Sequence, residues 1–238
     1  MNNPLDAFAE LQHDIVGLKW LLQHRSENLR FLGNSAITIG NELDQYFGGN
    51  PESEEVMETL CKLPPNTVIR SPASWETTLQ QAWQGKVGRL KRLEWSGQIK
   101  SNAEIIRRSQ AKVTPLDQNN CRLLKETGLD YLIAPYRNTD DFLDKSFGFA
   151  VVEQGKIVSV GTAYYIADKK ADLAVATYPS MRGRGLATSV LVCLADKCCS
   201  RGLEPQLHAA ACNKVAARLA GKVGFTTPEE FTAYARML

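Results

Sequence analysis

No two cysteines in this 238-residue chain stand in a C-x-x-C spacing, and the six it has are scattered apart from the adjacent Cys198 and Cys199. That excludes the usual spacing of a structural zinc site, so no metal is expected. It also gives no sign of the disulfide framework of a small secreted domain. A strong charge of one sign is lacking as well. The net charge of +2 is too near neutral for a dedicated nucleic-acid binder, so nucleic acid is not an expected partner. The basic run of Lys86, Arg89, Lys91 and Arg92 is local and reads as a solvated face. No apolar run is long enough to span a bilayer; the most apolar stretch is "IVSVGTAYYIA" (157–167). The first residues, "MNNPLDAFAELQHD", have neither the basic start nor the apolar core of a signal peptide. The expectation is a cytosolic protein with no membrane partner. Internal repeats and low-complexity tracts are absent too.

What is present is the composition of an ordinary globular protein, 44% hydrophobic and 23% charged, in a chain long enough for one large domain or two small ones. The first half reads as helical with breaks. "LQHDIVGLKWLLQH" places Leu11, Ile15, Leu18, Leu21 and Leu22 at helical spacing. "NPESEEVMETLCKL" predicts a helix capped by Asn50 with Pro51 in its first position, and "SPASWETTLQQAWQG" predicts another. Polar residues 96–110 form the best boundary, giving a mainly helical domain over 1–110 and a second domain over 111–238.

In the second half the pattern changes. A short strand at 111–117 leads to a helix capped by Asp117 and closed by Gly128. Residues 147–167 read as two strands joined at Gln154-Gly155, a hairpin signal. A third strand follows at 171–177, then a glycine-rich stretch, a helix, a strand over 205–213 and a further helix. Antiparallel hairpins with one strand–helix–strand crossover make this an α+β sheet domain.

The glycine-rich stretch "TYPSMRGRGLATSV" has the makings of an anion site. Gly183 and Gly185 let the backbone adopt positive φ and approach a ligand closely. The helix that follows directs its free N–H groups and the positive end of its dipole into the loop, and Arg182 and Arg184 add charge. A P-loop would need Gly-Lys-Ser/Thr, which is absent. A dinucleotide fingerprint would need glycine where Thr188 stands, and Glu204 precedes the next strand instead of ending it. A structural turn stays open as the plain alternative.

R-x-x-G-x-A (Arg182, Gly185, Ala187), then N-x-x-A-x-x-L (Asn213, Ala216, Leu219), then "KVGF" (222–225) occur in order behind a strand and "PSM". This set resembles the GNAT superfamily of acyl-CoA-dependent N-acyltransferases over 111–238. "YFGGNPES" and "ASWETTLQQAW" more loosely resemble a two-domain branch that includes the zwittermicin A resistance acetyltransferase. The resemblance implies a mixed, mostly antiparallel sheet with flanking helices, preceded by the mainly helical domain, with acetyl-CoA as cosubstrate. Backbone amides of Arg184, Gly185, Ala187 and Thr188 would hold the pyrophosphate, with Arg182 and Gly183 shaping the loop. Pantetheine would enter between the strand before the loop and the strand ending at Cys212. The Thr177 amide would polarise the thioester carbonyl, and the Asn213 side chain would fix the pantetheine arm. The small residues Ala174, Ala176, Ala209, Ala210 and Ala211 suit either such a groove or a tightly packed sheet.

The implied reaction is attack of an amine on the thioester, which needs a base and an acid. Where many members carry a tyrosine acid before "KVGF", this chain has Ala220. Tyr234 is the candidate acid. Asp172, His208 and, less favoured, Glu153 are candidate bases, His208 because an unperturbed imidazole titrates near neutrality. Phe142, Tyr164, Tyr165 and the Asp140–Asp141 pair are candidates for the acceptor site. The implied activity is acetyl transfer to a primary amine of a small molecule, such as an amine-bearing antibiotic. Transfer to a protein or aminoacyl-tRNA amine, and a non-catalytic acyl-CoA sensor, are the alternatives. A homodimer is left open.

Overall fold

The structure is a computed structural model that describes residues 4–11, 13, 15–33, 36–40, 44–97 and 111–238. In chain order its elements begin with α1 (Ile15–His24), β1 (Arg30–Leu32), β2 (Ala36–Gly40), β3 (Asp44–Gly49), α2 (Glu54–Lys62), β4 (Val68–Arg70), α3 (Glu76–Ala82) and β5 (Val87–Ser96). They continue with β6 (Val113–Pro115), α4 (Gln118–Glu126), α5 (Thr139–Lys145), β7 (Gly148–Glu153), β8 (Lys156–Ala167) and β9 (Lys170–Thr177). Last come α6 (Leu186–Ser200), β10 (Glu204–Ala210), α7 (Lys214–Val223) and β11 (Glu229–Arg236). The chain folds into two compact units. One comprises residues 1–93, 210–212 and 230–238, the other 94–209 and 213–229.

The first unit holds a sheet in the order β1-β2-β3-β4-β11-β5. Its β3 and β4 run parallel, joined through α2, while β1/β2, β2/β3 and β4/β11 are antiparallel. The helical reading of this half holds for α1, α2 and α3 but leaves out five strands. The reason is local. "AITIG" in β2 is a continuous buried run with no alternation, and β1 and β4 have three residues each, too few for a period-2 signal. The cap of α2 also lies three residues beyond Asn50. The Asn50 carboxamide oxygen accepts from the Glu52 N–H (3.0 Å) and closes a turn at Pro51, whereas Ser53 has the extended backbone of a cap and its hydroxyl accepts from the Val56 N–H at 3.2 Å. The C-terminal strand β11 belongs to this unit, so the units are not the successive segments 1–110 and 111–238 of the sequence reading. The proposed boundary at 96–110 falls mostly on 98–110, outside the described residues.

Three tryptophan and phenylalanine side chains anchor the first unit's core. Phe47, Trp75 and Trp83 are buried with Leu60, Ile69 and Leu79. Each indole N–H has an acceptor, Gly49 O for Trp75 (3.0 Å) and Leu60 O for Trp83 (2.9 Å), so their burial leaves no donor unsatisfied.

The second unit carries the sheet order β10-β9-β8-β7-β6. It is antiparallel except for the β9–β10 pair, which the α6 crossover makes parallel. With the strands of the first unit this gives a mixed, mostly antiparallel α+β protein. Asp117 caps α4 as expected and forms a reciprocal box with Asn120, both bonds being 2.8 Å. Two tight turns set the register of β7–β8–β9. Gln154 and Gly155, then Asp168 and Lys169, all have positive φ, which matches the twist of the strands they join. Helix α6 lies on the sheet with Val190 and Leu194 over Gly161, where an added Cβ would stand 2.9 and 2.7 Å from them. Only a residue without a side chain lets the helix approach this closely.

Candidate functional site

The glycine loop folds as its sequence suggests. Gly183 (φ 83°) and Gly185 (φ 78°) both occupy the left-handed region, and Gly185 is the N-cap of α6 without any side-chain cap. The first-turn N–H groups of α6, including those of Ala187 and Thr188, therefore face outward from a helix start that no side chain closes. A Cβ built on either glycine would meet nothing within 4 Å, so the space over the loop is open. Arg182 turns back and donates from Nε to the Thr177 carbonyl at 3.3 Å. Arg184 reaches the hairpin turn, where its two terminal nitrogens hold the Glu153 carboxylate at 3.0 and 2.7 Å. This pairing pulls the Glu153 carboxyl below its ordinary range, which makes it a weaker base, and it leaves Arg184 in an exposed two-point ion pair.

Behind the loop the two parallel strands part. Pairing of β9 with β10 runs from Lys170↔Glu204 to Leu173↔Leu207 and stops there, although both strands continue. The orientation of the unpaired backbone follows from the other neighbour. Tyr178 N–H donates to Val158 O (2.9 Å), so this is a bonded pair of the antiparallel ladder. Bonded and non-bonded pairs alternate, and Thr177, opposite Ser159, therefore turns its N–H and C=O away from β8, toward the side that β10 has left. Val175 does the same. The Thr177 hydroxyl is fixed by the buried Ser159 hydroxyl at 2.8 Å, which steadies the strand end.

At the parting point sits a buried charged cluster. Asp172 pairs with Gln206 in the parallel register, so His208, two residues further along β10, lies diagonally across on the same face. Its Nδ1 is 2.9 Å from Asp172 Oδ1 and its Nε2 is 2.8 Å from Glu94 Oε2. Burial works against a charged imidazole, but two carboxylates outweigh it and push the His208 pKa up to about 9. At neutral pH both ring nitrogens carry hydrogen and donate to the carboxylates. This differs from the expectation of an imidazole titrating near neutrality: the ring already holds the proton a base would have to take. Glu94 was not legible as a partner, because 114 residues separate it from His208.

The remaining candidates are spread more widely. Tyr234 lies in the first unit's core, pairs with Ile69 in the β4–β11 ladder and directs its hydroxyl toward Glu76 at 3.5 Å. Burial and that carboxylate raise its pKa, which makes it a poorer acid. Asn213 caps α7, its carboxamide oxygen accepting from Ala216 N–H at 3.0 Å. Phe142 is fully buried beside Tyr136, Tyr164 and Tyr165 meet edge to face, and Asp141 lies in the first turn of α5, which Asn138 caps, with its carboxylate accepting from the Arg137 N–H at 2.9 Å. Among the described residues no group of three His, Cys, Asp or Glu side chains could hold a metal, and no helix is long and apolar enough to cross a membrane.

The chain is also similar to known proteins. The family model described as GNAT acetyltransferase matches residues 26–234. The uncharacterized N-acetyltransferase YdfB of Bacillus subtilis (strain 168) is 26% identical over 169 residues, which are 71% of this chain and 65% of that protein, just under two thirds of the relative's length. Among solved structures, a GCN5-related N-acetyltransferase-like protein from Streptococcus suis superposes with a TM-score of 0.77 at 18% identity, covering 97% of this chain and 96% of that one. A GCN5-related N-acetyltransferase from Kribbella flavida gives 0.59 at 12% identity, covering 94% and 96%. These likenesses establish the fold.

Proposed function

Since the chain belongs to the GNAT acetyltransferase family, we propose that it moves an acetyl group from acetyl-CoA to a primary amine of a small molecule, with an amine-bearing antibiotic among the acceptors to be tried. One observation carries the reading. The β9–β10 ladder stops at Leu173 and Leu207, and the unpaired end of β9 leads directly into the uncapped, glycine-lined start of α6. A pantetheine arm with a pyrophosphate at one end matches such a slot followed by an anion site.

The residues fit the cosubstrate. The open space over Gly183 and Gly185 would admit phosphate oxygens, which the N–H groups of Arg184, Gly185, Ala187 and Thr188 would hold. Arg182 shapes the strand end through Thr177 O. When bound, acetyl-CoA supplies the acetyl group as a thioester. The Thr177 N–H, turned toward the slot, is the donor placed to stabilise negative charge on an acyl oxygen. Asp172, next to the last paired residue of β9, is the carboxylate we assign to taking the acceptor ammonium's proton. We assign Tyr234 to packing. Asn213 orders the start of α7, and its carboxamide nitrogen is the part we assign to the arm.

The test is unfolding of the purified chain with and without acetyl-CoA, beside an Arg182→Ala/Gly185→Glu double variant. Ligand at a hundredfold excess over its dissociation constant adds about 2.7 kcal/mol to the unit that binds it. The wild type should gain this and the variant should not; an acceptor panel of small amines then follows. Equal behaviour of the two proteins overturns the placement, and the absence of acetylated product from every amine overturns the activity.

A further inference from the structure

Parallel strands that stop pairing in mid-length need something to keep them apart in one fixed geometry. Beyond Leu173 and Leu207 both strands continue although they no longer pair, and a bulge between Ala163 and Tyr165 of β8, opposite Leu173 and Asp172, bends the sheet at the same point without tying β10 to it. Further pairing would close the slot, and fraying would widen it. The Glu94–His208–Asp172 cluster stands at this point, because His208 is the first residue of β10 after its last ladder partner. It joins three strands through side chains: Asp172 from β9, His208 from β10 and Glu94 from the end of β5. The cluster is nearly sealed, with side-chain exposures of 6% for His208, 14% for Asp172 and 12% for Glu94. Charges so placed are strongly coupled and tolerate little displacement.

We propose that Glu94 and His208 are positioning residues: together with Asp172 they clamp β10 where it leaves β9 and so set the width of the acyl-CoA slot. The proposal rests on the acyl-CoA reading above and adds Glu94 to the residues that govern it. The clamp needs the doubly protonated ring, because each ring nitrogen must donate to a carboxylate; a neutral ring has one N–H and can serve only one of the two. Among the described residues, the charged groups acting on the ring are Asp172 from β9 and Glu94 from β5. Loss of the ring proton therefore releases one side of the clamp.

The experiment measures acetyl-CoA binding by calorimetry from pH 6 to pH 10 for the wild type, His208→Gln and Glu94→Gln, with the His208 ring titration followed by NMR in parallel. Acetyl-CoA is the right probe because its sulfur, as a thioester, carries no proton to titrate in the alkaline range. Wild-type affinity is expected to be level through neutrality and to fall by about tenfold or more as the ring loses its proton. His208→Gln should bind weakly at every pH and lack the alkaline step. Glu94→Gln keeps an acceptor but removes a charge, so its step should move to lower pH together with the ring titration. A residue that merely supports the fold would lower stability without tying affinity to the ring's protonation. If His208→Gln fails to fold, the Glu94→Gln step still decides. Wild-type affinity unchanged while the ring deprotonates, or a Glu94→Gln step that stays where it was, overturns the clamp. Absence of wild-type binding at every pH overturns the acyl-CoA reading itself, which separates the two failures.

Discussion

Protonation of His208 should be visible in the stability of the second unit, independently of any ligand. The folded ring has a pKa near 9 against 6.5 for the unperturbed group. A group whose pKa is raised by folding contributes its full stability below the unfolded value and loses it as pH rises through the folded one. The window is therefore about pH 6.5 to pH 9. Inside it the native state holds one proton more than the unfolded chain, and stability falls by about 1.4 kcal/mol per pH unit. Across the window the loss amounts to about 3 kcal/mol, a large share of the 5–15 kcal/mol typical of a domain. This figure is a balance, since burial alone disfavours the charged ring and the two carboxylates outweigh it. Urea unfolding of the wild type and His208→Gln at pH 6.5, 7.5, 8.5 and 9.5 isolates the contribution, because other alkaline titrations are common to both proteins. The wild type should lose about 3 kcal/mol more than the variant over that range. Parallel curves would refute the assignment of a charged, doubly bonded imidazole.

Two further outcomes follow from the second unit. Glu153→Gln removes the carboxylate that occupies the Arg184 fork, so acetyl-CoA should bind about twofold to fivefold more tightly at low salt, as calorimetry would read; weaker binding would mean that the pair instead props the loop open. Gly161→Leu places a side chain where even a Cβ comes within 2.7 Å of Leu194 and 3.0 Å of Ala174 O, so α6 must lift from the sheet. Denaturant unfolding should show a loss of about 1–3 kcal/mol or more, and an unchanged midpoint would contradict the packing.

Much of the second half was legible because its signals are local. Gln154-Gly155 and the Asp168–Lys169 turn fix hairpin registers within two residues, and Asp117 announces a helix start with its partner only three positions on. The first half was read as helical because short or fully buried strands such as β1, β2 and β4 carry no alternation. Strand β11, which follows the whole second unit in sequence, pairs with β4 in the first unit.

The same division runs through the site. The sequence by itself determined the glycine loop, since positive φ at Gly183 and Gly185 and an uncapped helix start depend on neighbouring residues alone. It also supplied the ordered motifs that identify the family. Tertiary structure alone decided what His208 does. The ring's charge is set by Asp172, 36 residues away, and by Glu94, 114 residues away. The pKa of a buried group depends on the carboxylates and the dielectric that folding brings around it, and no local pattern encodes those.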